Sequence, residues 1–405
     1  EAQAAKKELR KVKRGDEELR IGVITVPSFY QDFNARTAGD DEFRSTTRDV
    51  ERLIKEFDAE GGVDGLVLDL RENGGGHLSE AIGLVNLFVP KGPVVQLRET
   101  GGRVEVLESE TAGVAYSGPL TILVDRFSAS ASEIFAAAMQ DYGRGIVIGQ
   151  ETYGKGSVQN LYPLDRYALG PKAGFGQLTV TIGMYYRVTG DSTQNRGVQP
   201  DIRLPSAINV EEVGESSRES SLPWNRIRSA SFKPETALAP LVAELQREHD
   251  SRVANDPDFR YTEAEIAAID QMREETSVSL NLDARKADRE RRTQEQLARE
   301  NARRTAHGEA PLKSVEEIKD PPDAILEEAS EITADLTRIQ PRGLTAGHDK
   351  TGRPPDTTVL YLTTTLSIRS IPPSRVLTHR VPTCSRIQFE SARRRPPRPG
   401  RRWCS

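Results

Sequence analysis

Four short runs, residues 21–26, 65–70, 120–124 and 146–149, are apolar at nearly every position. A strand wetted on one face alternates apolar and polar residues, so a run without alternation is one buried on both faces. A helical pattern follows the first run over residues 45–60, with Val50, Leu53, Ile54 and Phe57 on one face, and Gly61-Gly62 ends it. The second run leads through Asn73-Gly74-Gly75-Gly76 into a helical stretch over 79–88, and the third into a turn and helix over 128–140. Strand–helix–strand alternation predicts a mainly parallel α/β core. Residues 177–188 alternate in a β-like way, and Gly197-Val198-Gln199-Pro200-Asp201 closes the unit.

The flanks read differently. Residues 1–19 are charged and end against the first apolar run. Residues 206–340 are rich in Glu, Arg, Lys and Ala at helical spacing, for example Leu238, Leu241 and Leu245, then Ile266, Ile269 and Met272. They predict a helical C-terminal appendage. Residues 341–405 carry 13 Lys and Arg against 3 Asp and Glu, with many Pro and Thr and no periodicity. That composition suggests disorder or an altered reading frame. The 405 residues suffice for two or three domains.

Several function classes fall away. A formal net charge of −5 with mixed signs does not favour nucleic acid or a membrane surface. No apolar run reaches the roughly 18 residues of a membrane span. The two cysteines, Cys384 and Cys404, both lie in the basic stretch, so the body has no disulfide framework or cysteine metal site. The chain opens on Glu1 rather than Met and reads as a fragment, so the missing signal peptide says nothing of location.

Three turns after strands carry candidate chemistry, because α/β folds place their sites there. Asn73-Gly74-Gly75-Gly76 can aim backbone N–H groups at a negative oxygen, or can be a plain strand–helix turn. Ser128-Ala129-Ser130-Ala131-Ser132-Glu133 opens a helix, where free N–H groups and the dipole favour an anion. A serine there can be a nucleophile. The commoner role is an N-cap, with Glu133 completing a capping box. Gly154-Lys155-Gly156 lets backbone approach closely around a lysine. A Ser–Lys dyad needs that lysine as the free amine, which burial favours; a solvated surface lysine is the ordinary alternative. His77, just after the glycine turn, is the rival base, whereas His249 and His307 sit in the charged helical region. Residues 149–155 also fit the first part of a phosphate-binding loop, but Gly156 stands where that motif needs Ser or Thr.

Three segments together resemble the tail-specific, or carboxy-terminal processing, serine proteases. They are Leu70-Arg71-Glu72-Asn73-Gly74-Gly75-Gly76, Val124-Asp125-Arg126-Phe127-Ser128-Ala129-Ser130-Ala131-Ser132-Glu133, and Tyr153-Gly154-Lys155-Gly156-Ser157-Val158-Gln159. Residues 20–205 resemble the catalytic domain. Residues 206–340, with Leu222-Pro223-Trp224 and Val278-Ser279-Leu280-Asn281, resemble the helical C-terminal region of the bacterial periplasmic branch.

The resemblance implies an α/β spiral core related to the crotonase fold and a serine endopeptidase without cofactor or metal. It places the nucleophile at Ser130, the base at Lys155, an orienting amide at Gln159, and the oxyanion donors at the backbone N–H groups of Gly76 and Ala131. It further implies protein substrates with apolar free C-termini, a periplasmic setting, and room for an adaptor protein. The family usually carries a PDZ domain before the core, which captures the substrate's C-terminus by strand addition. Residues 1–19 would be only its trailing end. Two other readings are a non-catalytic binding or scaffold fragment and a crotonase-type acyl-CoA enzyme.

Overall fold

The computed structural model describes residues 3–40, 42–109, 113–167, 174–234, 237–319 and 322–339; the basic stretch 341–405 lies outside them. In chain order the elements are β1 (Lys6–Arg14), β2 (Glu17–Thr25), α1 (Phe33–Thr37), α2 (Thr46–Ala59), β3 (Gly65–Asp69), α3 (Leu78–Asn86), β4 (Gly92–Glu99), β5 (Val104–Ser109) and β6 (Leu120–Val124). There follow α4 (Ala131–Tyr142), β7 (Ile146–Gly149), β8 (Ser157–Pro163), β9 (Gln177–Tyr186), β10 (Ile202–Arg203), α5 (Ala239–Val253), α6 (Pro257–Glu274), α7 (Leu282–Ala306) and α8 (Ala324–Ile339).

The four apolar runs become β2, β3, β6 and β7, neighbours in a six-stranded sheet of order β1-β2-β3-β6-β7-β10. All pairs are parallel except β1 with β2. Every residue of β3, β6 and β7 is buried, because a core lies on each face. Leu66 and Leu68 face one core, with Val50, Leu53, Ile54 and Phe57 of α2 and the apolar sides of α3 and α4. Val67, between them, faces the other, with Leu326, Ala329, Ile332 and Leu336 of α8 and Leu245 of α5. Strand geometry sends alternate side chains to opposite faces, and the helices cover both.

Helix α8 therefore covers the second face of the sheet as a third layer. Its core residues Leu326, Ala329, Ile332 and Leu336 recur every three or four positions, a stripe that fits one sheet face. Thr121 of β6 and Thr333 of α8, both fully buried, join their hydroxyls at 2.6 Å, so the close contact leaves neither unpaired.

Residues 6–14 pair with β2 along their whole length as an edge strand of this sheet. Charge hides the strand in the sequence. Lys7 pairs with Glu56 and Glu60, Arg10 with Glu327, and Arg14 with Glu331 and Asp335, while Val12 is buried. A second, antiparallel sheet has the order β5-β4-β9-β8. Only β9 was legible as a strand, because β4, β5 and β8 mix polar and apolar residues.

Since β2, β3, β6 and β7 run in parallel, the turns that follow them open at one edge of the main sheet. The candidate residues lie in or directly after those turns.

Candidate active site

Asn73 joins three of the turns. It is fully buried. Its Nδ2 donates to Val26 O at 2.7 Å, and its Oδ1 accepts from Gly75 N at 2.9 Å. Its carbonyl accepts from Ala129 N at 3.0 Å and from Ser132 Oγ at 2.9 Å. The glycine turn is thereby pressed onto the serine turn. A Cβ on Gly75 would stand 2.9 Å from Ser130 Cβ and 3.0 Å from Ala131 N. Gly76, at φ +149°, is pinned against Phe29, whose carbonyl a Cβ would meet at 2.0 Å. Only glycine fits either position.

Geometry separates the three serines, which their spacing could not. Ser128 Oγ donates to Leu70 O at 2.8 Å and accepts from Asp125 N at 3.0 Å. Ser132 Oγ is taken by Asn73 O. Both are fully buried, whereas Ser130 is partly exposed. Ser130 is also strained, at φ +56° and ψ −109°, as the N-cap of α4. A non-glycine residue holds such a conformation only where its surroundings enforce it. Ala131, the first residue of α4, has its N–H among the unpaired donors of a helix start.

Glu133 connects the serine turn to the lysine turn. Its Oε2 accepts from Ser130 N at 2.8 Å and Lys155 N at 2.9 Å. Its Oε1 accepts from Thr152 Oγ1 at 2.6 Å and Gly154 N at 2.7 Å. Ser130 and Lys155 thus share one carboxylate oxygen. Complete burial pushes the Glu133 carboxyl up to about 7 in spite of these four donors. The hydroxyl of Tyr185, from β9, donates to Lys155 O and lies 3.3 Å from Ser130 O, a second bridge between the turns. Burial pushes this phenol well above its ordinary range.

Lys155 is partly buried, and among the described residues its amine enters no ion pair. It lines an open cleft of about 550 Å3 together with Glu72, Phe127, Tyr153, Gln159 and Arg218. Gln159 is exposed on β8, four residues on. The side chains of Ser130, Lys155 and Gln159 make no hydrogen bond to one another among the described residues. Gly76 follows Gly75, the glycine pressed against Ser130, and Ala131 follows Ser130.

The alternatives lose their footing. Lys155 leads into a strand, not a helix, so residues 149–155 lack the helix N-terminus on which a phosphate-binding loop depends. His249 is buried against Glu328 at 2.8 Å, and His307 pairs with Asp258 at 3.0 Å. His77 stands at the N-cap position of α3, and its side chain makes no capping hydrogen bond.

Asn73, Tyr185 and Arg126 went unread as organisers. The Arg126 guanidinium is 1% exposed and binds Thr152 O at 2.6 Å, Val210 O at 2.8 Å and Val213 O at 2.6 Å. It holds the start of the C-terminal region beside the lysine turn, so Glu215 and Arg218 can line the cleft. A lone Arg before a serine turn gives no signal of partners more than eighty residues away.

Residues 20–204 match the family model described as "Peptidase family S41". Residues 208–338 match "C-terminal domain of tail specific protease (DUF3340)". The tail-specific protease of Haemophilus influenzae is 39% identical over 348 residues, covering 83% of this chain and 47% of that one. The carboxy-terminal-processing protease of Bartonella bacilliformis is 37% identical over 161 residues, covering 39% of this chain and 35% of the relative. Among solved structures, the photosystem II D1 C-terminal processing protease is 25% identical with a TM-score of 0.40, covering 51% of this chain and 50% of that one. The chain belongs to peptidase family S41, among the tail-specific proteases. It spans about half the length of the Haemophilus relative.

Proposed function

We propose that this protein is a serine endopeptidase that works through a Ser130–Lys155 dyad. Ser130 Oγ attacks the scissile carbonyl while Lys155 Nζ, as the free amine, takes the hydroxyl proton. Gln159 orients that amine. The oxyanion forms against the N–H groups of Gly76 and Ala131. As the C–N bond breaks, Lys155 returns the proton to the leaving amine, and an acyl-enzyme remains on Ser130. Water then attacks the ester, with Lys155 again as base, and releases the acid.

The observation that carries this reading is the shared Glu133 carboxylate, which binds the backbone of the strained serine and of the lysine at once. Hydrogen bonds between such reacting side chains tighten when substrate binds. Substrates are proteins with apolar free C-termini, and the setting is the periplasm; the family resemblance supports both readings. Among the described residues no helix is long and apolar enough to cross a membrane.

The test is cleavage of an unfolded reporter protein that ends in an apolar residue with a free carboxylate. The parent cuts it, and Ser130→Ala and Lys155→Ala each lower kcat by at least about a thousandfold. Equal cleavage by the parent and Lys155→Ala refutes the dyad.

A further inference from the structure

Glu72 stands in the left-handed region, at φ +60°, where the Cβ of any residue other than glycine is crowded. Its backbone is held there. Glu72 N donates to both oxygens of the Asp125 carboxylate, at 3.0 and 3.1 Å. The side chain adds nothing to that hold. It is exposed, and among the described residues its carboxylate enters no hydrogen bond or ion pair. The neighbouring Arg71 is already taken by Asp69 and Asp323. A glycine or an asparagine would make this turn with less strain, so the fold does not explain a glutamate here.

The cleft does explain it. Glu72 lines the cleft of Lys155 together with Phe127, Tyr153, Glu215 and Arg218. Phe127 N donates to Asp125 Oδ1 at 2.9 Å and Glu72 N to the same oxygen at 3.0 Å, so one atom sets the two residues side by side. The Phe127 ring is 42% exposed. The other charges of the cleft are engaged. Arg218 donates to the Tyr153 hydroxyl at 3.0 Å and stands 5.8 Å from the centre of that ring, and Glu215 accepts from Gln194 Nε2 at 3.3 Å. With Lys155 as the free amine, the cleft holds two carboxylates against one guanidinium, and Glu72 is the carboxylate without a partner. An exposed ring beside an unpaired carboxylate suits a long basic side chain, whose apolar stem needs cover and whose head needs a counter-charge.

We infer that Glu72 sets the charge preference of this cleft. A Lys or Arg side chain close to the scissile bond lays its stem on Phe127 and brings its cation to the Glu72 carboxylate, whereas Asp and Glu at that place are repelled. The inference concerns the residues at the cut, not the substrate's C-terminus. It rests on the peptidase reading for the cut itself, but the charge preference in binding does not need the cut.

The test digests an unfolded protein of mixed composition with the full chain and maps every cut by mass spectrometry. Next to the cuts, Lys and Arg are enriched over Asp and Glu by about tenfold relative to their abundance, as attraction and repulsion combine. High salt shrinks that ratio. Glu72→Gln keeps the shape, removes the charge and brings the ratio close to one, and Glu72→Lys inverts it. Glu215→Gln retains most of it. Circular dichroism shows that each variant is folded; the Glu72 side chain is exposed, and its backbone bonds to Asp125 do not depend on it. No enrichment with the parent, or the same ratio with Glu72→Gln, overturns the inference. So does a ratio lost in Glu215→Gln and kept in Glu72→Gln. A parent that cuts nothing sinks the peptidase reading instead. The Kd of the Ser130→Ala chain for fluorescent unfolded polypeptides bearing Lys or Glu then decides: tighter binding of the Lys form that Glu72→Gln abolishes keeps the charge preference, and equal values overturn it.

Discussion

Glu133 shows what a single residue can do in this site and how little of it a sequence reveals. As the third residue of α4 it was legible as half of a capping box, and its bond to Ser130 N is that half. The bonds to Thr152, Gly154 and Lys155 come from a turn about twenty residues on, which no local pattern foretells. Burial raises its carboxyl from 4.5 to about 7, so the folded protein holds a proton that the unfolded chain has lost between those values. The stability that this proton contributes is fully present below about pH 4.5 and is lost as pH rises through about 7. The two values correspond to on the order of 3 kcal/mol. Glu133→Gln, which cannot titrate, therefore shows a flatter urea-unfolding stability across pH 4.5–7 than the parent. It also lowers kcat more than it raises KM, because it loosens the serine against the lysine. Parallel pH profiles for the two proteins would remove Glu133 from the account.

At the scale of elements, legibility followed burial. The strands buried on both faces announced themselves as unbroken apolar runs, and β3, β6 and β7 fall almost where those runs lie. Helix α2 was equally plain, from the four apolar residues on its inner face. Strand β1 was not, because its long basic side chains bury their stems and carry their charges to partners on α2 and α8. Strand β8 was hidden for the opposite reason: both its faces are wet, so no alternation forms. The helical spacing near the C-terminus was visible, but a helix pattern does not say that α8 folds back onto the main sheet.

The join between the turn at Arg126 and the segment 210–217 is also an element-scale feature. Arg126→Ala leaves the carbonyls of Thr152, Val210 and Val213 without their buried donor and opens a cavity. The expected cost is about 3 kcal/mol or more in denaturant unfolding. It is accompanied by a rise in KM for the unfolded reporter as Glu215 and Arg218 leave the cleft wall. Unchanged stability would mean that the segment is held by other contacts.

For the whole molecule, the three-layer core and the two family regions form one working unit. The sheet supplies four parallel strands whose turns meet, α8 closes the sheet's second face, and the segment after residue 208 completes the cleft wall. The residue types of the site were readable from three short motifs. Which of Ser128, Ser130 and Ser132 is the free one was not a property of spacing. It depends on Leu70 and Asn73, two carbonyls brought in by another strand.

The central claim, that Ser130 is the nucleophile and Lys155 its base, is tested most directly by treating the protein with a fluorophosphonate and mapping the modified peptide by mass spectrometry. The account predicts one adduct, on Ser130, formed by loss of fluoride and absent in Lys155→Ala. An adduct on Ser128 or Ser132, or undiminished labelling of Ser130 in Lys155→Ala, would contradict it.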